Sequence, residues 1–251
     1  MSFNSKKTRP PRALPFVLVN MAMTADGKIA TGNRAVSSFG SPRDHNHLYE
    51  LRATADAVMA GARTVDLNAV AMDAGEERFR KLRLKHGLAA QNLRIIVSGS
   101  GTIDPQAHIF RQRFSPIIVL TTQRMKLKTR AQLQALGEVV KICGRRKLAL
   151  AGALRWLANE WGVRRLLCEG GGELNSALFL ADLVDEVHLT VCPKLFGGSQ
   201  APTIAEGVGF PRLADAAPFQ LKSARRIGDE MFLIYARRKL WPECFPKSGS
   251  S

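Results

Sequence analysis

Short apolar runs recur along this chain with helical signals between several of them, and that alternation constrains the fold more than any single motif. Residues 16–23 form a β-branched, apolar run that ends at the turn Asp26-Gly27, and 56–59, 93–97, 116–120, 139–143 and 166–169 are further runs of strand character. Ser41-Pro42-Arg43-Asp44 combines an N-cap, a proline at the first helical position and an acid in the first turn, so a helix is expected to open there and run through Arg52. Leu150, Leu154, Leu157 and Trp161 fall on one helical face that stops at Gly162, and Leu174, Leu178 and Leu183 mark another helix. The pattern predicts an α/β fold with a mainly parallel central sheet and helices on both faces. Residues 187–191, 219–224 and 231–236 are strands with no helix between them, which predicts an antiparallel C-terminal edge. One domain is expected over residues 14–239, with the basic, proline-rich stretch 1–13 and the stretch 240–251 as disordered tails.

With 251 residues, 45% of them hydrophobic, the chain can bury a substantial core. No run approaches the roughly 18 apolar residues that span a bilayer, and no apolar segment follows the basic N-terminal residues, so a cytoplasmic protein is expected. Cys143, Cys168, Cys192 and Cys244 are scattered without metal-ligand spacing and read as free thiols. The net charge of +16 fits a nucleic-acid partner, a ligand with several phosphates, or a solvated basic surface. Only 7% of residues are aromatic and no base-stacking motif occurs, which disfavours nucleic acid.

Between residues 164 and 175 an apolar strand runs into Gly170-Gly171-Gly172 and then into a helix. Glycines there let the backbone approach a ligand, and the first free N–H groups of the helix favour an anion; the same residues also suit a plain tight turn. Glu169 stands at the carboxyl end of the strand, where open α/β sheets bind ligands. The spacing matches neither G-x-G-x-x-G nor the P-loop. The five histidines form no metal or nucleophile set, and Ser37 and Ser38 lack the context of a hydrolase elbow. Chemistry is therefore expected to belong to a bound cofactor.

Four blocks, in order, carry a resemblance: residues 19–30, with Ala22, Thr24, Asp26 and Gly27; residues 51–65, with Arg52 and Thr64; residues 168–175; and residues 183–187 with 193–198. Together they resemble the reductase domain of riboflavin biosynthesis, which has the dihydrofolate-reductase-like fold, and the likeness covers about residues 15–238. It implies an NADPH-dependent, homodimeric reductase that opens a ribosylamino-pyrimidine phosphate to its ribitylamino form by hydride transfer. It further implies cofactor contacts at Ala22, Thr24, Thr64, Asn68 and Gly99, and along Gly171, Gly172, Glu173, Leu174 and Asn175 as far as Ala177. Substrate contacts are implied at Ser37, Arg52 and Glu169, the last accepting hydrogen bonds from ring amino groups. Arg124, Lys126 and Lys128 are candidates for the cofactor 2′-phosphate.

Structural alternatives stand beside these roles. Asp26 and Gly27 suit a hairpin-like turn, Asp44 suits a capping box or the border of the pocket, and Arg52 suits an exposed helix end. The sequence also departs from the family. Asn68 replaces an expected acid, Val70 an expected proline, and no arginine follows to hold the substrate phosphate, although Arg78, Arg80 or Lys81 lie beyond. The zinc-binding motifs of the companion deaminase domain do not occur, so the reduction alone is expected. The substrate is thus expected to be a pyrimidine or pteridine-like compound. The alternatives are a dihydrofolate or pteridine reductase and a non-catalytic, basic nucleic-acid-binding protein on the same fold.

Overall fold

A computed structural model describes residues 14–34 and 39–238; Ser37 and both expected tails lie outside the described residues. Nine strands form one sheet: β1 (Phe16–Thr24), β2 (Ala57–Gly61), β3 (Leu93–Ser98), β4 (Ile117–Thr121), β5 (Val139–Ile142), β6 (Arg165–Cys168), β7 (Glu186–Cys192), β8 (Phe219–Ile227) and β9 (Glu230–Arg237). Among the described residues six α-helices accompany them: α1 (Pro42–Arg52), α2 (Ala62–Leu67), α3 (Glu77–Lys85), α4 (Leu127–Ala135), α5 (Leu150–Glu160) and α6 (Gly172–Leu180). The strand order is β5-β4-β3-β2-β6-β1-β7-β9-β8. Pairing is parallel from β5 to β7 and antiparallel at β9 and β8, as the alternation predicts.

Successive residues of a strand point to opposite faces, and two apolar layers result. Val17, Val19, Met59, Ile95 and Cys168 meet Leu154 and Leu157 of α5 and Leu178 of α6 on one face. Leu18, Val58, Ile96 and Leu167 meet Leu51 of α1, Val65 of α2 and Leu133 of α4 on the other. α1 starts as the sequence indicates: the Ser41 hydroxyl accepts the N–H groups of Arg43 and Asp44, with Pro42 at the first helical position. The edge strand β8 is exposed along most of its length and carries Lys222, Arg225 and Arg226, charges that oppose pairing with another sheet.

Two helices, α3 and α4, are not anticipated by the sequence reading. α3 lies in the basic stretch and buries Phe79 and Arg83, while α4 buries only Leu133. Among the described residues no helix is long and apolar enough to cross a membrane.

Candidate active site

The carboxyl ends of β2, β3 and β6, with Met21 of β1, open onto a cavity of about 1110 Å³, the position at which open parallel sheets receive ligands. Of the expected cofactor residues, Thr64, Asn68, Gly99, Gly171, Gly172, Glu173 and Leu174 line it, and so does Glu169. The turns after β2 and β6 are joined by a hydrogen bond from Gly61 N–H to the Gly170 carbonyl, 3.0 Å. Gly171 sits at φ 95°, a left-handed conformation that favours glycine, and a Cβ there would lie 3.2 Å from Thr64 Oγ1. It also precedes α6 without any side-chain cap, so the first N–H groups of that helix are left to a ligand or water. Gly172 answers a packing need as well: a Cβ would fall 2.5 Å from the Thr203 carbonyl oxygen.

Glu169 is held from behind. Arg52 Nε and Nη2 donate to its two carboxylate oxygens at 2.6 and 2.7 Å, and Arg52 Nη1 donates to the Asp73 carbonyl at 2.7 Å. This two-pronged geometry fixes the plane of the carboxylate as well as its position. Burial alone would lower the Arg52 pKa, but the adjacent carboxylate outweighs it and holds the guanidinium above its ordinary value. Arg52 is therefore neither an exposed helix-end arginine nor part of the cavity wall; it is the buried support of a residue that is.

Two ion pairs border the opening, Arg63 with Glu173 at 3.0 Å and Arg34 with Glu206 at 2.9 Å. At another part of the wall, Arg124, Arg146 and Lys147 stand with Ser98, Gly99, Ser100 and Thr102, and none of these three cations has a carboxylate partner among the described residues. Of the three basic residues expected near the cofactor, Arg124 lines the cavity and Lys126 and Lys128 do not, while Arg146 and Lys147 line it as well. The signal for them was topological, a basic run just after the strand at residues 139–142.

Three other expected contacts lie off the wall. Thr24 is buried, donates to Asp26 Oδ1 at 2.5 Å and accepts the Lys28 N–H at 2.9 Å, so it closes a turn. Asn175 is buried, donates to the Ile204 carbonyl and takes the Cys168 thiol, so it ties α6 to the loop at 203–206. Ala22 lies mid-strand opposite Thr190 and does not reach the cavity. Asp26 also accepts the N–H groups of Phe196 and Gly197, and its carboxyl is pulled down to about 2, chiefly by the Thr24 hydroxyl and then by the Gly197 N–H. The turn at Asp26 and Gly27 is structural. Asp44 is buried on α1 away from the wall, and burial raises its pKa.

The loop that departs from the expected pattern has its own role. Asn68 Nδ2 donates to the Thr64 carbonyl and closes α2, Met72 adopts φ 58°, and Asp73 offers its carbonyl to Arg52.

A mostly parallel sheet with a glycine-edged cavity at its strand ends defines an α/β protein of the kind that holds a nucleotide-like ligand. The chain belongs to the RibD C-terminal domain family, whose pattern matches residues 15–233. It is 30% identical to the 2,5-diamino-6-ribosylamino-4(3H)-pyrimidinone 5′-phosphate reductase of Methanothermobacter thermautotrophicus, over 88% of this chain and 97% of the relative. The Archaeoglobus fulgidus protein of the same name is 30% identical over 89% of this chain and 98% of its own length. Among solved structures, a pyrimidine reductase-like protein of Corynebacterium diphtheriae superposes with a TM-score of 0.75 at 18% identity, covering 90% of this chain and 92% of that one. RibD of Acinetobacter baumannii gives 0.72 at 22% identity and 90% coverage of this chain, which spans 58% of that longer protein.

Proposed function

We propose that this chain is an NADPH-dependent reductase that acts on 2,5-diamino-6-ribosylamino-4(3H)-pyrimidinone 5′-phosphate, converting its ribosylamino group to ribitylamino. The observation that carries the reading is the cavity itself, edged by the uncapped start of α6 and by three cations without acid partners. Its 1110 Å³ exceeds the roughly 300–1,000 Å³ of ordinary small-molecule pockets, as a dinucleotide and a second ligand together require.

NADPH, when bound, supplies the hydride. Everything else falls to the protein. The free N–H groups at the start of α6 suit the diphosphate, the Thr64 hydroxyl beside Gly171 suits an adjacent oxygen, and Arg124, Arg146 and Lys147 suit the 2′-phosphate. Glu169, with its plane fixed by Arg52, suits the amino groups of the pyrimidine, so its work is to orient the substrate. No protein nucleophile is needed. The proposal extends to a homodimer acting in the cytoplasm, the first part of which sedimentation tests.

A fluorescence titration with NADPH, followed by a reduction assay with the pyrimidine substrate, tests the reading. Saturable binding and oxidation of NADPH on adding that substrate are expected. Absence of NADPH binding at neutral pH refutes it, and binding without turnover refutes the substrate and directs the assay to dihydropteridines.

A further inference from the structure

The Arg52 side chain leaves the last residue of α1, so whatever fixes the end of that helix also aims the two-pronged grip on Glu169. A second arginine does the fixing. Arg83, on α3, is 1% exposed and has no carboxylate partner among the described residues. Its guanidinium is spent on carbonyl oxygens: Nη1 donates to Arg52 at 2.5 Å and to Ala55 at 2.6 Å, Nε donates to Ala89 at 2.8 Å, and Nη2 donates to Gln91 at 3.3 Å. Asn92, fully buried beside it, donates through Nδ2 to the same carbonyls of Arg52, the last residue of α1, and Ala55, just beyond it, at 2.9 and 2.8 Å.

The last carbonyls of a helix are left without intrahelical donors and carry the negative end of its dipole. A cation delivered there from another element satisfies both demands at once. Burial brings the Arg83 guanidinium down to about 10, which still leaves it charged at neutral pH. A buried cation held only by carbonyls is a costly device if the aim were only to fill space, since an apolar side chain of similar volume would do that. What Arg83 adds is a fixed register between the end of α1, the end of α3 and the segment at 89–92.

We propose that Arg83 is a positioning residue of the active site, acting through the end of α1 to hold Arg52 in two-pronged register with Glu169. The chain of bonds is continuous: Arg83 to the Arg52 carbonyl, the Arg52 guanidinium to Glu169, and Glu169 on the cavity wall. It runs through α1 and β6 and bypasses the glycine turn and the three unpaired cations assigned to the cofactor. Loss of Arg83 is therefore felt by the pyrimidine and not by NADPH.

The kinetic part rests on the proposed function, and the structural part does not. Arg83→Met and Arg83→Lys test it, with Asn92→Leu as the milder variant should the first fail to fold. In the variant crystal structure Arg52 is expected to lose one of its two bonds to Glu169. Kinetically, the pyrimidine KM rises or kcat falls by about tenfold or more while the NADPH dissociation constant stays within about twofold. Adding Arg83→Met to Glu169→Gln is expected to bring little further loss, because Arg83 acts only through the contact that Glu169→Gln has already removed. An unchanged grip on Glu169, a parallel loss of NADPH affinity, or full additivity with Glu169→Gln overturns the proposal. If the wild-type protein does not turn over the pyrimidine, the functional reading fails, and the variant structures still decide the role of Arg83.

Discussion

Glu169 and Arg52 lie 117 residues apart in sequence and meet with both oxygens of one engaged by two nitrogens of the other. Removing either charge leaves its partner poorly solvated and uncompensated. Glu169→Gln is expected to lower stability by about 3 kcal/mol. It should also cut kcat/KM for the pyrimidine by about 100-fold with NADPH affinity unchanged, which thermal denaturation and steady-state kinetics check. The three unpaired cations make a separate prediction: replacing Arg124, Arg146 and Lys147 by alanine reduces the preference for NADPH over NADH by about tenfold or more, read from the two KM values. Each residue type of the Glu169 grip was visible in the sequence, but their partnership was not, because nothing local marks which arginine will meet which acid. Thr24 and Asn175 differ in the opposite direction, since both are expected at the cofactor and neither lines the cavity. Small polar residues at a strand end and in a helix's first turn fit a ligand and a local tie equally well, and here Thr24 bonds the Asp26 carboxylate and the Lys28 N–H while Asn175 donates to the Ile204 carbonyl.

At the scale of the element, helices with a strong start signal were legible and helices with a muted apolar face were not. α1 announced itself through Ser41 and Pro42, and α5 through its leucine spacing. α3 escaped because one of its two buried positions is Arg83, and a buried arginine reads in sequence as a solvated one. α4 escaped because one buried leucine makes no period. Ser41 does more than cap: its N–H and hydroxyl both donate to the Glu230 carboxylate, at 2.8 and 2.5 Å, which ties α1 to β9. Ser41→Ala is thus expected to cost about 2 kcal/mol, the upper end of a simple cap, measured by denaturant unfolding. The start of α6 is more exacting. Gly171→Ala imposes a left-handed alanine and brings its methyl against Thr64, so a loss of about 1–2 kcal/mol in stability is expected, with weakened NADPH binding by titration.

For the whole molecule, the parallel sheet, its antiparallel edge and the place of the cavity all followed from the alternation of elements. Strand order did not, since insertion of β6 between β2 and β1 is a long-range choice that no window of sequence contains. One pH effect belongs to this scale because it joins α1 to β7. His47 and His188 face each other with ring nitrogens 3.3 Å apart, among Glu50, Asp44 and Arg43 on one side and Glu186, Arg165 and Lys222 on the other. Burial lowers both pKa values below 6.5; for His47 the His188 charge adds to it, and for His188 the bond to Glu186 opposes it. With folded values depressed, the folded state prefers the neutral rings. Their contribution is complete above about 6.5 and is lost as the pH falls through the folded values. The melting temperature should therefore fall on acidification from neutral pH, and less so in His47→Gln.

β1 pairs only with β6 and β7, that is, with residues 165–168 and 186–192. During synthesis, β1 leaves the ribosome well before its partners and must therefore wait, with Val17, Leu18 and Val19 uncovered, until residues 165–168 have followed. The molecule cannot be finished from its N-terminus inward. A chain ended at residue 160 leaves residues 16–24 open to protease, whereas the full chain protects them, and a translation pause before β6 becomes the moment at which a chaperone has most to shield.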